Sequence, residues 1–185
     1  MSQSTLLIVI VALAIVALGI VAWTFVQRMR TKRLQSRFGP EYERTVRQVG
    51  DRCKAEDELE VRKKRVAKLT LRTLSSDEQR RFARDWAAAQ ARFVDDPKGA
   101  VTDADRLVKE VMLARGYPMG DFEQRAADIS VDHPRVVSNY RSARDIAARS
   151  ADARASTEDL RQAVVYYRAL FEELLETAQV VGVAS

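Results

Sequence analysis

The most regular hydrophobic pattern in the chain is an unbroken apolar run over residues 5–26, TLLIVIVALAIVALGIVAWTFV, which carries no charged side chain. Only Thr5 and Thr24 are polar within it. A helix of this length rises roughly 33 Å at ~1.5 Å per residue, which is enough to cross a hydrocarbon core of about 30 Å. Because backbone groups in lipid must be paired within the segment, the run predicts a transmembrane helix. Trp23 falls near its end, where aromatic rings favour the membrane interface.

Two other interpretations of the run fit it less well. A cleaved signal peptide has basic residues before a shorter apolar stretch and a small-residue cleavage site after it, whereas here the basic residues follow a long stretch. A buried soluble helix would need more surrounding protein than this chain supplies. None of the small residues in the run lie four apart, so the close-contact dimer motif is absent and we interpret the segment as an anchor.

Five basic residues follow the run with no acidic residue among them: Arg28, Arg30, Lys32, Arg33 and Arg37. Basic residues in short flanks stay on the cytoplasmic side of a membrane. We therefore expect the N-terminus outside and the rest of the chain in the cytoplasm, where the single Cys53 would stay reduced. The same five cations are candidate contacts for anionic lipid headgroups, each worth about 1 kcal/mol near the surface.

Beyond residue 40 the apolar positions recur at helical spacings of three and four, and alternating strand patterns are almost absent. The first face begins with Tyr42, Val46, Val49 and Cys53 and continues to Leu69. It predicts one helix in which Cys53 is a small core residue.

Local helix signals predict where the later helices begin and end. A capping box is expected at Ser76 with Gln79 or at Ser75 with Glu78, and another cap at residues 156–159. Asp96 and Pro97 read as an N-cap and first helical residue, and Gly116 before Pro118 ends the helix that follows. Further helices are predicted over residues 121–129, from near Pro134 to about 153, and from 156 onward.

These elements predict an all-α chain, with one N-terminal transmembrane helix followed by a soluble bundle of five or six helices. The expected aromatic core consists of Phe82, Trp86, Phe93, Tyr167 and Phe171. We divide the chain into a short flank (1–4), a transmembrane helix (5–26), a basic juxtamembrane segment (27–39), a helical domain (40–179) and a C-terminal tail (180–185).

The composition excludes several classes of protein. The net charge of +5 comes from the five basic residues after the apolar run, because the remaining 26 basic residues equal the 26 acidic ones. A neutral body argues against a nucleic-acid-binding domain. One cysteine and one histidine exclude an internal disulfide framework and make a structural zinc site improbable. We expect no cofactor, no metal and no nucleic-acid partner.

Side chains that could carry chemistry are few. His133, the only histidine, lies between Asp132 and Pro134 and could act as an oriented base. A turn histidine that caps or packs a helix start is the commoner arrangement, and no catalytic residue is assigned. Candidate lining groups for an interhelical pocket are Trp86, Tyr117, Asp132, His133 and Tyr140.

Five strings together resemble an uncharacterised bacterial family of small proteins described only as membrane or secreted proteins. They are RFGPEYERTV (37–46), WAAAQARFVDDP (86–97), RGYP (115–118), SVDHP (130–134) and STEDLRQAVVYYRALFEELL (156–175). The resemblance covers nearly the whole chain and implies one transmembrane helix and one helical domain. It implies no activity and no catalytic residue. Its secreted description conflicts with the charge bias, which we favour.

The function expected from these patterns is a non-enzymatic interaction or scaffold module, anchored by a single pass at the cytoplasmic face of the membrane. Its expected partners are the lipid bilayer and another protein, whose identity and oligomeric context the sequence leaves open. One alternative is a small-ligand binder or enzyme that uses an interhelical pocket near Trp86, Asp132 and His133. A third is a lipid-surface protein that acts through the basic segment.

Overall fold

The computed structural model describes the backbone of residues 3–152 and 154–180, and the side chains of residue 13, residues 15–152 and residues 154–175. Over these residues the chain is helical and contains no strand, so the predicted all-α class is confirmed. Eight helices follow one another in this part of the chain: α1 (Gln3–Phe38), α2 (Pro40–Val49), α3 (Arg52–Val66), α4 (Ser76–Arg92), α5 (Pro97–Ala114), α6 (Phe122–Asp132), α7 (Val137–Ala151) and α8 (Thr157–Val180).

The larger hydrophobic core lies between α4, α5, α7 and α8. Trp86 of α4 stacks on Phe171 of α8, with ring centroids 4.5 Å apart, and Tyr140 of α7 meets Tyr167 of α8 edge to face. Burying a large apolar side chain contributes about 1.5–3 kcal/mol, so these aromatic contacts help to hold α4 and α7 against α8. Of the predicted aromatic core, four residues are buried in this cluster and Phe93 packs against it partly buried.

A second, smaller core joins the end of α1 to α2, α3 and α6. Its buried members are Leu34, Phe38, Tyr42, Leu59, Val66 and Val131. Residues 27–38, which the sequence places in a separate basic segment, continue α1 as regular helix, and the last turns of α1 enter this core. Leu69 and Leu71, on the connection between α3 and α4, pack against both cores.

Local capping explains most of the helix ends in the domain. Ser75 and Glu78 form the predicted capping box at the start of α4, and Asp96 caps α5 by accepting from the Gly99 backbone N–H. At the end of α5, Gly116 adopts a left-handed backbone with φ 93°. The Tyr117 and Gly116 N–H groups return to the Met112 and Leu113 carbonyls, which closes the helix in a Schellman arrangement.

The single helix predicted from Tyr42 to Leu69 is divided in two, and this part of the prediction is wrong. Gly50 takes a left-handed conformation with φ 75° and ends α2, while the Asp51 side chain accepts from the Lys54 N–H and begins α3. The described chain therefore has seven helices after α1, one more than the upper expectation. Because of this break, the buried face of α3 does not continue the apolar face of α2. Cys53 is therefore exposed and is not a core residue.

The predicted transmembrane segment lies in the first two thirds of α1. Residues 5–12 and 14 of that segment lie outside the described side chains. Over the residues that are described, no helix carries an apolar stretch long enough to cross a membrane.

Candidate functional site

Three of the five residues proposed to line a pocket, Trp86, Tyr117 and Tyr140, belong to the larger core. Within this core, Trp86 lies under the Phe171 ring. The Tyr140 hydroxyl accepts from Arg125 Nε over 3.4 Å. None of the five lines any of the principal clefts found over the described residues.

Tyr117, Asp132 and His133 lie closer together, just beyond the end of α5 and at the end of α6. The Tyr117 side chain is buried, and this burial together with the nearby Asp132 raises the pKa of its hydroxyl. Asp132 points outward, with its carboxylate 3.5 Å from Arg37 Nη2. Among the described side chains, the partner of His133 is Glu173 and not Asp132, so Asp132 does not orient the imidazole as an acid–base pair.

His133 packs as a buried side chain at the end of α6. It is 3% exposed, and its Nδ1 lies 3.2 Å from Glu173 Oε1 of α8. Its Nε2 finds no hydrogen-bond partner among the described residues. Burial lowers the pKa of His133 below the ordinary value, although the contact with Glu173 partly opposes this. His133 thus packs at the end of α6, whereas the sequence favoured a histidine that caps or packs a helix start.

The basic residues after the apolar run are arranged around α1. Arg30 donates to Asp57 of α3 over 2.6 Å, and Arg37 reaches Asp132 of α6. Arg28, Lys32 and Arg33 are exposed and form no ion pair with any side chain that the structure describes. The cations therefore divide into two that help to dock α1 on the domain and three that remain at the surface.

A buried hydrogen-bond cluster fixes α1 against α2 and α3. The Thr31 hydroxyl and the Tyr42 hydroxyl each donate to Glu56 Oε1 over 2.8 Å, and Arg52 Nε lies 3.2 Å from the same oxygen. Burial alone would raise the pKa of Glu56, but these hydrogen bonds outweigh it and hold the pKa below its usual value. Because Arg30 and Thr31 meet Asp57 and Glu56, α1 and α3 lie side by side.

Two clefts run along α1 on either side of its contact with α3. The first, which we name the basic groove, has a volume of about 560 Å³ and is lined by Val26, Met29, Arg30, Arg33, Leu34, Ser36, Arg37, Glu60 and Lys63. The second, which we name the tryptophan cleft, has a volume of about 320 Å³ and is lined by Trp23, Thr24, Gln27, Arg28, Thr31, Arg52, Cys53 and Glu56. Earlier residues of α1 meet earlier residues of α3, so the two helices run parallel.

A buried ion cluster joins the smaller core to the larger one. Glu41 of α2 is 2% exposed, and its carboxylate accepts from Arg62 of α3 over 3.3 Å and from Arg141 of α7 over 3.0 Å. Each arginine also reaches an outer carboxylate, Glu58 and Glu123 respectively. Two arginines and one fully buried carboxylate fix the relative positions of three helices.

Over the described residues, no group of three or more His, Cys, Asp or Glu side chains is placed to hold a metal ion. No protein-family model, no curated protein and no solved structure matches the chain. The likeness of the five sequence strings to a family of small membrane or secreted proteins therefore stays a prediction.

The sequence patterns missed the residues that α2 and α3 contribute to the two clefts and to the ion cluster. Glu41, Glu56, Glu60 and Lys63 lie on helices rich in charge, where most such side chains are solvated. Apart from composition, the sequence carries no local signal that these residues line a cleft or become buried. A glutamate that becomes buried looks the same in sequence as one that stays at the surface.

We expect replacement of Glu41 by Gln to lower the free energy of unfolding by about 3 kcal/mol, because it leaves Arg62 and Arg141 buried without their shared charge. The matched control is Glu123→Gln. The Glu123 side chain, an outer partner of Arg141, is 63% exposed, so this variant should lower the free energy of unfolding by less than ~1 kcal/mol. Urea unfolding of the detergent-solubilised full chain, followed by circular dichroism, measures both. Equal small effects would show that the buried cluster does not hold the helices together.

The lowered pKa of His133 predicts how stability depends on pH. Because the folded protein binds the proton less readily than the unfolded chain, stability is complete above the unfolded pKa of about 6.5 and falls as the pH drops below it. The slope for one group is at most about 1.4 kcal/mol per pH unit. His133 is the only histidine, so unfolding of His133→Gln should show no such slope between pH 7.5 and about 5.5. A wild-type chain that gains stability on acidification would contradict this.

Proposed function

We propose that the chain is a single-pass membrane protein whose residues 5–26 anchor a helical domain at the cytoplasmic face, where the domain binds another macromolecule without catalysing a reaction. The proposal combines two observations. Residues 5–26 carry no charged side chain, and the described apolar side chains of this part of α1 are exposed.

The observation that carries the proposal is the exposure of the apolar side chains of α1. Nine of them, from Leu13 to Val26, are 57–69% exposed. At 100° per residue these positions face every side of the helix. A protein partner would cover one face of such a helix, whereas lipid covers all of them. Each side chain favours leaving water by about 1.5–3 kcal/mol, so an aqueous α1 would be strongly disfavoured.

The anchor and the domain are parts of one helix, which supports a positioning role. Only about two turns of helix separate Val26, the last residue of the apolar run, from Leu34 in the smaller core. Thr31 is held by Glu56 between these points, and no glycine or proline interrupts the helix there. A domain joined in this way keeps a fixed distance and orientation relative to the bilayer, which suits a scaffold. Tethering also raises the local concentration for a partner near the membrane.

The proposed orientation rests on the basic residues that follow the run. Arg28, Arg30, Lys32, Arg33 and Arg37 all lie within the eleven positions after Val26, and basic flanks stay in the cytoplasm. The first turn of α3, with Arg52 and Cys53, lies beside Trp23 and Arg28 across the tryptophan cleft. The turn between α2 and α3 would thus face the membrane surface.

We expect the full chain to resist extraction from membranes by alkaline carbonate. The double variant Val16→Arg and Ile20→Arg should be released, because an arginine at the centre of a span costs roughly 2.5–3.5 kcal/mol. The matched control places the same two arginines at Val94 and Leu113, which are 85% and 61% exposed on the domain, and should stay in the membrane fraction. Release of the wild-type chain would contradict the anchor.

Cys53 offers a direct test of orientation, because it is the only cysteine in the sequence and its side chain is exposed. A membrane-impermeant maleimide should label it in inverted vesicles and not in sealed right-side-out vesicles. The control is a chain with Ser2→Cys and Cys53→Ser, in which labelling should appear from the opposite side. The reverse pattern would place the domain outside the cytoplasm.

The scaffold role predicts that partner capture depends on the rigid connection. A flexible Gly-Ser insertion after Gln27 should leave the chain in the membrane and reduce cross-linking to the proteins that the wild-type chain captures reproducibly. The same insertion after Val94, on the connection between α4 and α5, keeps α1 continuous and should preserve capture. Absence of any reproducible cross-linked partner would contradict the interaction role.

A further inference from the structure

We propose that the basic groove between α1 and α3 binds the headgroup of an anionic phospholipid, with Arg33, Arg37 and Lys63 as the cations that contact its phosphate. This inference rests on the proposed membrane location, which would set the groove at the level of the lipid headgroups. It differs from general attraction by a basic segment, because it assigns a defined site that includes a residue of α3.

The charges in the groove are unbalanced. Its lining contains four cations and one acidic residue, Glu60. Glu60 is engaged by Lys63 at 2.8 Å, and Arg30 is engaged by Asp57, which lies outside the groove. Arg33 has no ion-pair partner among the described side chains, and Arg37 has only the 3.5 Å contact with Asp132. An anion in the groove would supply the missing negative charge.

The position of the cations along α1 matches the depth of a headgroup. Arg33 lies seven residues beyond Val26, which places its Cα roughly 10 Å further along the helix axis. Side chains on a helix tilt toward its N-terminus, so Arg33 and Arg37 lean back toward the apolar run. The polar layer on each side of a bilayer is about 5–8 Å thick, which is within reach of these long side chains.

The shape of the groove also fits a lipid better than a free ion. Val26 and Met29 line its end nearest the apolar run, while Arg33, Arg37 and Lys63 lie further along. Its volume of about 560 Å³ is in the range of small-molecule sites, roughly 300–1,000 Å³. An apolar end followed by a cationic end complements an acyl-glycerol group that carries a phosphate, whereas inorganic phosphate would leave the apolar end unused.

The basic residues of α1 lie on different faces of the helix. Arg33 and Arg37 enter the groove, Arg28 lines the tryptophan cleft on the other side of α1, and Lys32 lines neither cleft. A specific site therefore predicts different effects for cations that are close together in sequence and equal in charge. Attraction to the surface as a whole would make them equivalent.

The test uses the full chain in a neutral detergent with an equal mixture of phosphatidylglycerol and phosphatidylcholine of the same acyl chains. Native mass spectrometry measures which lipid the protein retains. We expect preferential retention of phosphatidylglycerol by the wild-type chain, and a loss of about 30-fold in its apparent association for the double variant Arg33→Gln and Lys63→Gln. The matched control, Arg28→Gln with Lys32→Gln, removes the same charge and should lose less than about threefold.

Three results would overturn the lipid site. Equal losses in the two double variants, or equal retention of both lipids by the wild-type chain, would reduce the groove to part of a general basic surface. Displacement of the lipid by excess inorganic phosphate would show that the site takes the ion alone. Carbonate extraction of the same variants separates this inference from the anchor: a chain that stays in the membrane without a lipid preference refutes only the groove, whereas an extracted wild-type chain refutes the membrane location itself.

Discussion

Leu34 and Phe38 hold the last turns of α1 in the smaller core, and this packing positions the long apolar helix relative to the domain. One helix thus has two parts with opposite requirements. Its described apolar side chains, at residue 13 and residues 15–26, are exposed on all sides, and its last part buries one face among α2, α3 and α6. Thr31 lies where the two parts meet, and its hydroxyl donates to the buried Glu56.

Charge has two separate roles in the domain. At the surface, several basic side chains pair with acids three or four residues away, as Arg106 does with Asp103 and Glu110. Such exposed pairs contribute little to stability. Between helices, Glu41 lies buried among arginines of α3 and α7. It therefore specifies how the small core is placed against the large one.

The features that the sequence predicted well are those encoded by neighbouring residues. The capping box at Ser75, the cap at Asp96 and the left-handed Gly116 each follow from a few adjacent side chains and occur where predicted. The aromatic stripe of α4 also gave the core face correctly, because an amphipathic helix has only one face to bury.

What the sequence could not provide depends on contacts between distant residues. Gly50 ends a helix even though the apolar spacing continues past it, so the pattern alone misplaced Cys53. Lys63 joins the basic groove only because α3 lies parallel to α1, and the burial of Glu41 requires arginines 21 and 100 positions away. The five proposed pocket residues follow from residue type, and residue type does not show in which direction a side chain points.

The connection between α3 and α4 has a consequence for how the domain unfolds. Leu69 and Leu71 contact both hydrophobic clusters, and α6 contributes Ile129 to one cluster and Val131 to the other. Separating the two clusters would therefore expose apolar side chains of both clusters at the same time. The domain should lose its structure in a single cooperative transition, so mechanical load applied along α1 would be shared by the whole bundle.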